Sequence, residues 1–320
     1  MTPPERRALG RELTRRANAD MAEALEFAGR PESACPVIGI TGPPGVGKST
    51  LIARLAKERV SDAGLAILAI DPTSPISGGA ILGDRIRMAE LVEDTRIFIR
   101  SIATRSSADG LADNLPLLIE CLAGAGFGEL MLETVGVGQV EYAVRAMVDT
   151  MVLVLSPATG DQIQAMKSGI IETPDIFAIN KADLPGAEQI AMEIRSVVQL
   201  RTGAKSDWRP RFVQLSSKRG SGIGELSAAI NEHRAWLGVH PGTAARLRSW
   251  RTEVVRGLVA RRVADLLNAM PGSTLDRSLG EVLDHIAHNL APPPRTEHLL
   301  TEHQRSPRNG IRFGTRRGLE

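Results

Sequence analysis

The ten residues Thr41-Gly-Pro-Pro-Gly-Val-Gly-Lys-Ser-Thr50 constrain this chain more than any other stretch. Gly42, Gly47, Lys48 and Ser49 satisfy G-x-x-x-x-G-K-[ST], a pattern that carries meaning only between a strand and a helix. Both flanks comply. The apolar run PVIGI precedes the segment, and STLIARLAKERVSDAG follows it with helical spacing and a closing glycine. Glycines let backbone N–H groups curl around phosphate oxygens, and the helix N-terminus adds partial positive charge. The expected cradle is Gly42, Pro43, Pro44, Gly45, Val46, Gly47, Lys48, Ser49 and Thr50. In it Lys48 reaches the β and γ phosphates and the Ser49 hydroxyl ligates Mg²⁺. An ordinary glycine turn is the competing reading, and the two flanks disfavour it.

A strand-loop-helix unit of this kind belongs in an α/β sheet, and the chain supplies the rest. Short apolar runs recur at 65–70 (LAILAI), 96–102, 129–134, 150–156, 175–180 and 211–216, with helical segments between them. Most are continuous rather than alternating, as strands buried on both faces should be. The pattern predicts a P-loop NTPase fold: a mainly parallel sheet of about seven strands with helices on both faces. Helical extensions flank it. From Pro4 to Gly29, Leu9, Leu13, Ala17, Met21 and Leu25 recur at helical spacing, with Gly10 as the one strong breaker. Beyond Pro241 two amphipathic stretches replace the strands. The expected divisions are a helical extension over 1–35, a nucleotide-binding domain over 36–240, a helical segment over 241–294 and a poorly ordered tail over 295–320.

Composition excludes some classes. A formal charge of +2 is too small to argue for nucleic acid, and no apolar run approaches the ~20 residues that span a bilayer. Arginines do gather near the N-terminus, at 6, 7, 11, 15 and 16, and again from 305 to 317. They read as solvated faces or tails. Cys35 and Cys121 have no metal-ligand spacing and no signal peptide is evident, so a reducing cytoplasm is the expected setting.

Two acidic positions compete for the metal. Asp71, at a strand end, lies on the edge where parallel sheets bind ligands, whereas Asp84 could equally cap the helix that follows it. Downstream, LETVGVGQVE offers Glu133 to hold a metal-bound water and the Gly136 amide to sense the γ phosphate. The base is read from Asn180-Lys181-Ala182-Asp183. The Asp183 carboxylate can accept both N1–H and the 2-amino group of guanine, and adenine presents neither. Asn180 would brace that loop, the Lys181 stem would lie along the base, and Ser216, Ser217 and Lys218 would offer a backbone amide to guanine O6.

Taken together, TGPPGVGKST, DPTSPISGGAILGDRIRM, ETVGVGQ, GDQIQAMKSGI and NKAD make the chain resemble the MeaB/ArgK family of GTPases associated with methylmalonyl-CoA mutase, from about Val37 to Trp236. The resemblance implies a Mg²⁺-dependent GTPase, bound to GTP or GDP, that protects an adenosylcobalamin-dependent acyl-CoA mutase and gates its cofactor. An adenosyltransferase is a further partner it suggests. By the same resemblance Asp71, Asp84 and Glu133 belong to the metal and switch region. Lys167 falls at a functional lysine of an additional switch segment; a solvated helix lysine is the bland alternative. Family members form homodimers through C-terminal helices, yet the segment from Asn268 onward departs from the expected pattern. So does SIATRSSADGLADNLP, where Ser106, Ser107 and Asp109 replace a glycine-rich stretch and Gly110 remains.

No catalytic base is evident; Gln139 could orient the attacking water or simply be a surface residue. Three rivals stay in view. A metallochaperone GTPase would need thiols or histidines, whereas the six histidines here are scattered from His233 onward. An ATPase or kinase linked to amino-acid transport is opposed by NKAD. An assembly protein acting only by binding would show impaired hydrolysis.

Overall fold

A computed structural model of the chain describes residues 1–27, 35–72, 89–91, 93–104, 114–134, 140–157, 174–201, 208–240 and 243–291. Its centre is a seven-stranded sheet formed by β1 (Val37–Thr41), β2 (Leu65–Pro72), β3 (Ile97–Thr104), β4 (Glu129–Glu133), β5 (Thr150–Leu155), β6 (Ile176–Ile179) and β7 (Arg211–Gln214). The spatial order is β3-β2-β4-β1-β5-β6-β7, and every neighbouring pair is parallel. Every residue of β1, β4, β5 and β6 is buried, as the continuous apolar runs required. β7 at one edge exposes Arg211 and Gln214 at its two ends and turns Val213 into the core.

Helices α3 (Lys48–Arg59), α4 (Leu115–Gly124), α5 (Val140–Met147), α6 (Ala187–Arg201) and α7 (Ile223–Val239) cover the sheet. One core gathers Ile38, Ile40, Leu51, Leu55, Ile67 and Ile230 beneath α3 and α7; another gathers Leu9, Leu13, Leu68, Leu118 and Leu132. The chain runs from β1 past β4 to β2 and β3, returns to β4, then continues on the other side of β1. The sheet therefore switches direction at β1, and a crevice opens at its carboxyl edge there.

The N-terminal extension is two helices, α1 (Pro3–Asn18) and α2 (Met21–Phe27), where the sequence suggested one stretch interrupted only by Gly10. Gly10 lies inside α1, and the break falls at Ala19–Asp20. Asp20 accepts from the Glu23 amide (2.8 Å) and its own amide meets Glu23 Oε2 (3.4 Å), a capping box that starts a new helix. Leu9 and Leu13, on one face of α1, are buried against α4, and Asn114 Nδ2 donates to the carbonyls of Arg16 (3.0 Å) and Ala19 (2.9 Å). The C-terminal region holds α8 (Thr243–Ala269), the short α9 (Gly272–Leu275) and α10 (Leu279–Asn289). Val254 and Leu258 of α8 share a small core with Ala19, Ala24 and Leu117.

A buried ion pair locks α3 to the far edge of the sheet. Arg59 forks onto Glu129 with contacts of 2.6 and 2.7 Å and also donates to the Ser227 carbonyl and hydroxyl of α7. No described helix is long and apolar enough to cross a membrane.

Candidate functional site

The loop between β1 and α3 is shaped by where side chains cannot go. Gly42 has φ 143°, and a Cβ there would collide with the Val154 carbonyl oxygen of β5. Gly47 has φ 95° and begins α3 as its cap; a Cβ would lie 2.6 Å from Asn180 Nδ2. Both positions combine a left-handed backbone with close approach, which glycine alone accommodates. The first amides of α3 thus face the crevice. Lys48 Nζ lies across the loop, donating to the carbonyls of Gly42 (2.6 Å) and Pro43 (3.1 Å).

Ser49 and Glu133 meet in the crevice. Glu133 ends β4 between Ile40 of β1 and Ala69 of β2, and the Ser49 hydroxyl donates to its Oε1 at 2.9 Å. Both residues are 4 % exposed. A carboxylate and a hydroxyl offer only hard oxygen donors, the chemistry Mg²⁺ prefers, and Mg²⁺ needs just one or two protein ligands besides water and phosphate. The pair fits that ion. Asp71, one residue before the end of β2, pairs with Ala103 at the same edge of the sheet, although its side chain lies outside the described residues. Asp84, Gly136, Gln139, Lys167 and the segment with Ser106, Ser107, Asp109 and Gly110 also lie outside them.

The loop after β6 is tied to the phosphate loop by an asparagine with no exposed surface. Asn180 Nδ2 donates to the Val46 carbonyl (2.8 Å) and to Ser217 Oγ (3.0 Å), while Oδ1 accepts from the amides of Lys181 (2.8 Å) and Ser217 (2.9 Å). All four of its hydrogen-bonding positions are used. Lys181 adopts φ 58°, unusual for a non-glycine residue, and its Nζ donates to the Gly45 carbonyl at 2.7 Å. Asp183 is held below the usual carboxylate range by the Ser216 hydroxyl, helped by the charges of Arg219 and Lys218. It is therefore an ionised double acceptor at neutral pH.

The loop after β7 narrows the choice of amide for a base carbonyl. The Ser216 amide donates to Ser221 (3.0 Å) and the Ser217 amide to Asn180, which leaves Lys218 as the amide of the three with no hydrogen bond to a described residue. Sequence reasoning placed Asn180 as a brace but missed what it braces. No sequence spacing signalled it: Val46 follows β1 and Asn180 follows β6, with β5 between them, and the two loops meet above the carboxyl edge of the sheet.

The MeaB family model, described as methylmalonyl-CoA mutase-associated GTPase MeaB, matches residues 10–271. A protein of Pyrococcus horikoshii is 41 % identical over 235 residues, 71 % of this chain and 74 % of its own. One of Mycobacterium bovis is 38 % identical over 261 residues, 79 % of this chain and 78 % of its own; both are named as GTPases. The mouse methylmalonic aciduria type A homolog, mitochondrial, is 36 % identical over 239 residues, covering 73 % of this chain and 57 % of that one. Among solved structures, an LAO/AO transport system kinase superposes with a TM-score of 0.54 at 24 % identity, covering 92 % of this chain and 95 % of that one, a likeness of fold.

Proposed function

The chain belongs to the MeaB family of methylmalonyl-CoA mutase-associated GTPases, and from that premise we propose that it hydrolyses GTP with Mg²⁺ and thereby gates cofactor loading and protection of an adenosylcobalamin-dependent acyl-CoA mutase. The observation that carries this reading is the direct link between the two halves of the nucleotide site. Asn180 and Lys181, from the base-reading loop, hydrogen-bond to Val46 and Gly45 of the phosphate loop. A guanine seated on Asp183 is thus mechanically joined to the loop that holds its phosphates.

In this reading Lys48 leaves the carbonyls of Gly42 and Pro43 for the β and γ phosphates, exchanging two dipoles for two anionic oxygens. Ser49, Glu133 and, by resemblance, Asp71 and Asp84 would hold Mg²⁺, which neutralises charge on the phosphates when bound. Glu133 sits in β4 one residue before Thr134, after which the segment with Gly136 begins, so a change at the γ phosphate reaches that segment through one strand end. Gly136 and Lys167 keep their proposed switch roles, and Asp183 and the Lys218 amide read the guanine edge.

No side chain among the described residues is placed as a base, so on this reading intrinsic hydrolysis is slow and a partner's contribution is worth ~10³ to 10⁵ in rate. The deciding measurement is phosphate release with and without an adenosylcobalamin-dependent acyl-CoA mutase. Acceleration by the mutase supports the proposal; equal rates oppose it and leave only the GTPase. The proposal extends to an adenosyltransferase as donor of the cofactor and to a homodimer. For the dimer, Leu275, Leu279 and Leu283 on α9 and α10 are exposed apolar side chains of the C-terminal helices. Light scattering across a dilution series tests it.

A further inference from the structure

Ser156, the residue after β5, lies fully buried at the carboxyl edge of the sheet, and its hydroxyl has no hydrogen-bond partner among the described residues. A buried polar atom left unpaired in a native structure asks for an explanation. Alternation along β5 gives the side it faces. Val152 and Val154 pack in the core beneath α3 and α7, whereas Leu153 and Leu155 pack on the opposite side against α6. By the same alternation Ser156 follows Val152 and Val154 toward α3, the helix that the phosphate loop opens.

Both nucleotide loops flank this residue. The phosphate loop leaves β1 against the end of β5, where a Cβ on Gly42 would collide with the Val154 carbonyl oxygen. The base-reading loop rests on β5 as well, through the Asn180 amide, which donates to the Leu155 carbonyl at 2.7 Å. Leu155 pairs with Ile179, so Ser156 and Asn180 come next in register, yet Asn180 already uses all four of its hydrogen-bonding positions. The acceptor that the hydroxyl lacks is within the phosphate loop. Gly42 and Pro43 are buried, and their carbonyls accept from Lys48 Nζ at 2.6 and 3.1 Å. When Lys48 moves to the phosphates, these buried carbonyls lose that donor, and a buried carbonyl without a donor is costly. Ser156, two residues beyond the Val154 that Gly42 packs on, is a buried donor without an acceptor.

We propose that Ser156 is a positioning residue for nucleotide binding: its hydroxyl donates to the Gly42 or Pro43 carbonyl as Lys48 transfers to the phosphates, and so holds the phosphate loop in shape around them. The inference rests on the lysine exchange of the proposed function. The test compares the full chain with Ser156→Ala, Lys48→Ala and the double variant, by calorimetric titration with GDP and Mg²⁺ and by urea unfolding of the nucleotide-free proteins. Ser156→Ala should weaken GDP about tenfold, because a loop carbonyl is then left without a donor. Without nucleotide the same change should leave the urea midpoint equal or raised, since Lys48 serves the carbonyls and the hydroxyl removed is unpaired. In the Lys48→Ala background the carbonyls lack the lysine from the outset, Ser156 serves them without nucleotide, and Ser156→Ala should lower the midpoint. A serine that merely fills space cannot give that reversal. GDP bound equally by parent and Ser156→Ala, while Lys48→Ala weakens it, overturns this inference alone. GDP bound equally by parent and Lys48→Ala overturns the lysine exchange and this inference with it. A midpoint lowered by the same amount in both backgrounds makes Ser156 a structural residue and also overturns the proposal.

Discussion

The Ser49 hydroxyl donates to Glu133 Oε1 at 2.9 Å, with both residues all but sealed from solvent. The contact joins the first turn of α3 to the end of β4, so under the proposed function metal binding and the switch region would share a carboxylate. Glu133→Gln preserves shape and an oxygen acceptor for Ser49 while removing the charge. GTP turnover, followed as phosphate release at saturating GTP and Mg²⁺, should fall by about 10² or more, in line with loss of one preorganised electrostatic group. GDP affinity should change less than tenfold. Unaltered turnover with unaltered Mg²⁺ dependence would remove Glu133 from the metal site.

Asp183 makes a sharper statement about the base. Its carboxylate is stabilised as an anion by Ser216 and by Arg219, whose Nε lies 3.5 Å from Oδ2. Asp183→Asn replaces one of two acceptors with a donor, which then faces the 2-amino group of guanine. With a charge-assisted hydrogen bond lost, GTP affinity should drop about 10- to 100-fold. A nucleotide with a carbonyl at position 2, xanthosine triphosphate, should bind the variant better than GTP does. Competition against a fluorescent GDP reads both, and an unchanged order of preference would mean the base is not read here.

Two glycines of the phosphate loop separate backbone strain from collision. Gly47 and Gly45 both have positive φ, but a Cβ on Gly47 meets Asn180 Nδ2 at 2.6 Å whereas one on Gly45 meets nothing within 4 Å. Gly45→Ala should cost only the left-handed conformation, about 1 to 2 kcal/mol. Gly47→Ala should add the displacement of Asn180, which leaves buried partners unsatisfied at about 1 to 3 kcal/mol more. Urea unfolding gives the two values. Equal losses would show that Asn180 yields freely and is no brace.

How much of this was legible in the sequence follows from the range of each interaction. Strands buried on both faces write themselves as continuous apolar runs, so all seven could be read, and the phosphate loop and NKAD are local motifs with chemistry of their own. The break at Ala19–Asp20 was also local, spelled Asp20-x-x-Glu23, but the apolar spacing on either side masked it. Non-local meetings were another matter. Arg100 lies far along the chain from Arg7 and Arg11, and only the placement of β3 at the sheet edge beside α1 turns a basic stretch into a cavity. The packing of His233 on Asp175 was silent for the same reason.

That last pair, at the amino edge of the sheet, yields a prediction about pH. Asp175 precedes β6 and accepts from Arg145 (3.1 Å) and the Met151 amide (2.8 Å). His233 of α7 lies 3.3 Å away, with Thr150 Oγ1 on its Nδ1 (2.9 Å) and Trp208 and Trp236 against its ring. Burial pushes Asp175 up to about 6, against the pull of Arg145, and burial with the Arg145 charge pushes His233 down to about 4. From about pH 4 to 6 the native state holds the Asp175 proton more tightly than the unfolded chain does, so this group makes stability fall as pH rises. Over about pH 4 to 6.5 the unfolded chain holds the His233 proton more tightly, so that group makes stability rise. The two slopes oppose each other, and the parent should be nearly level from this source. Asp175→Asn leaves the histidine contribution, so its stability should climb with pH by up to about 3 kcal/mol across the window; His233→Gln leaves the aspartate contribution and should decline by a similar amount. Urea midpoints at pH 4.5, 5.5 and 6.5 give the three slopes. Identical slopes in parent and both variants would mean that neither group changes its proton affinity on folding.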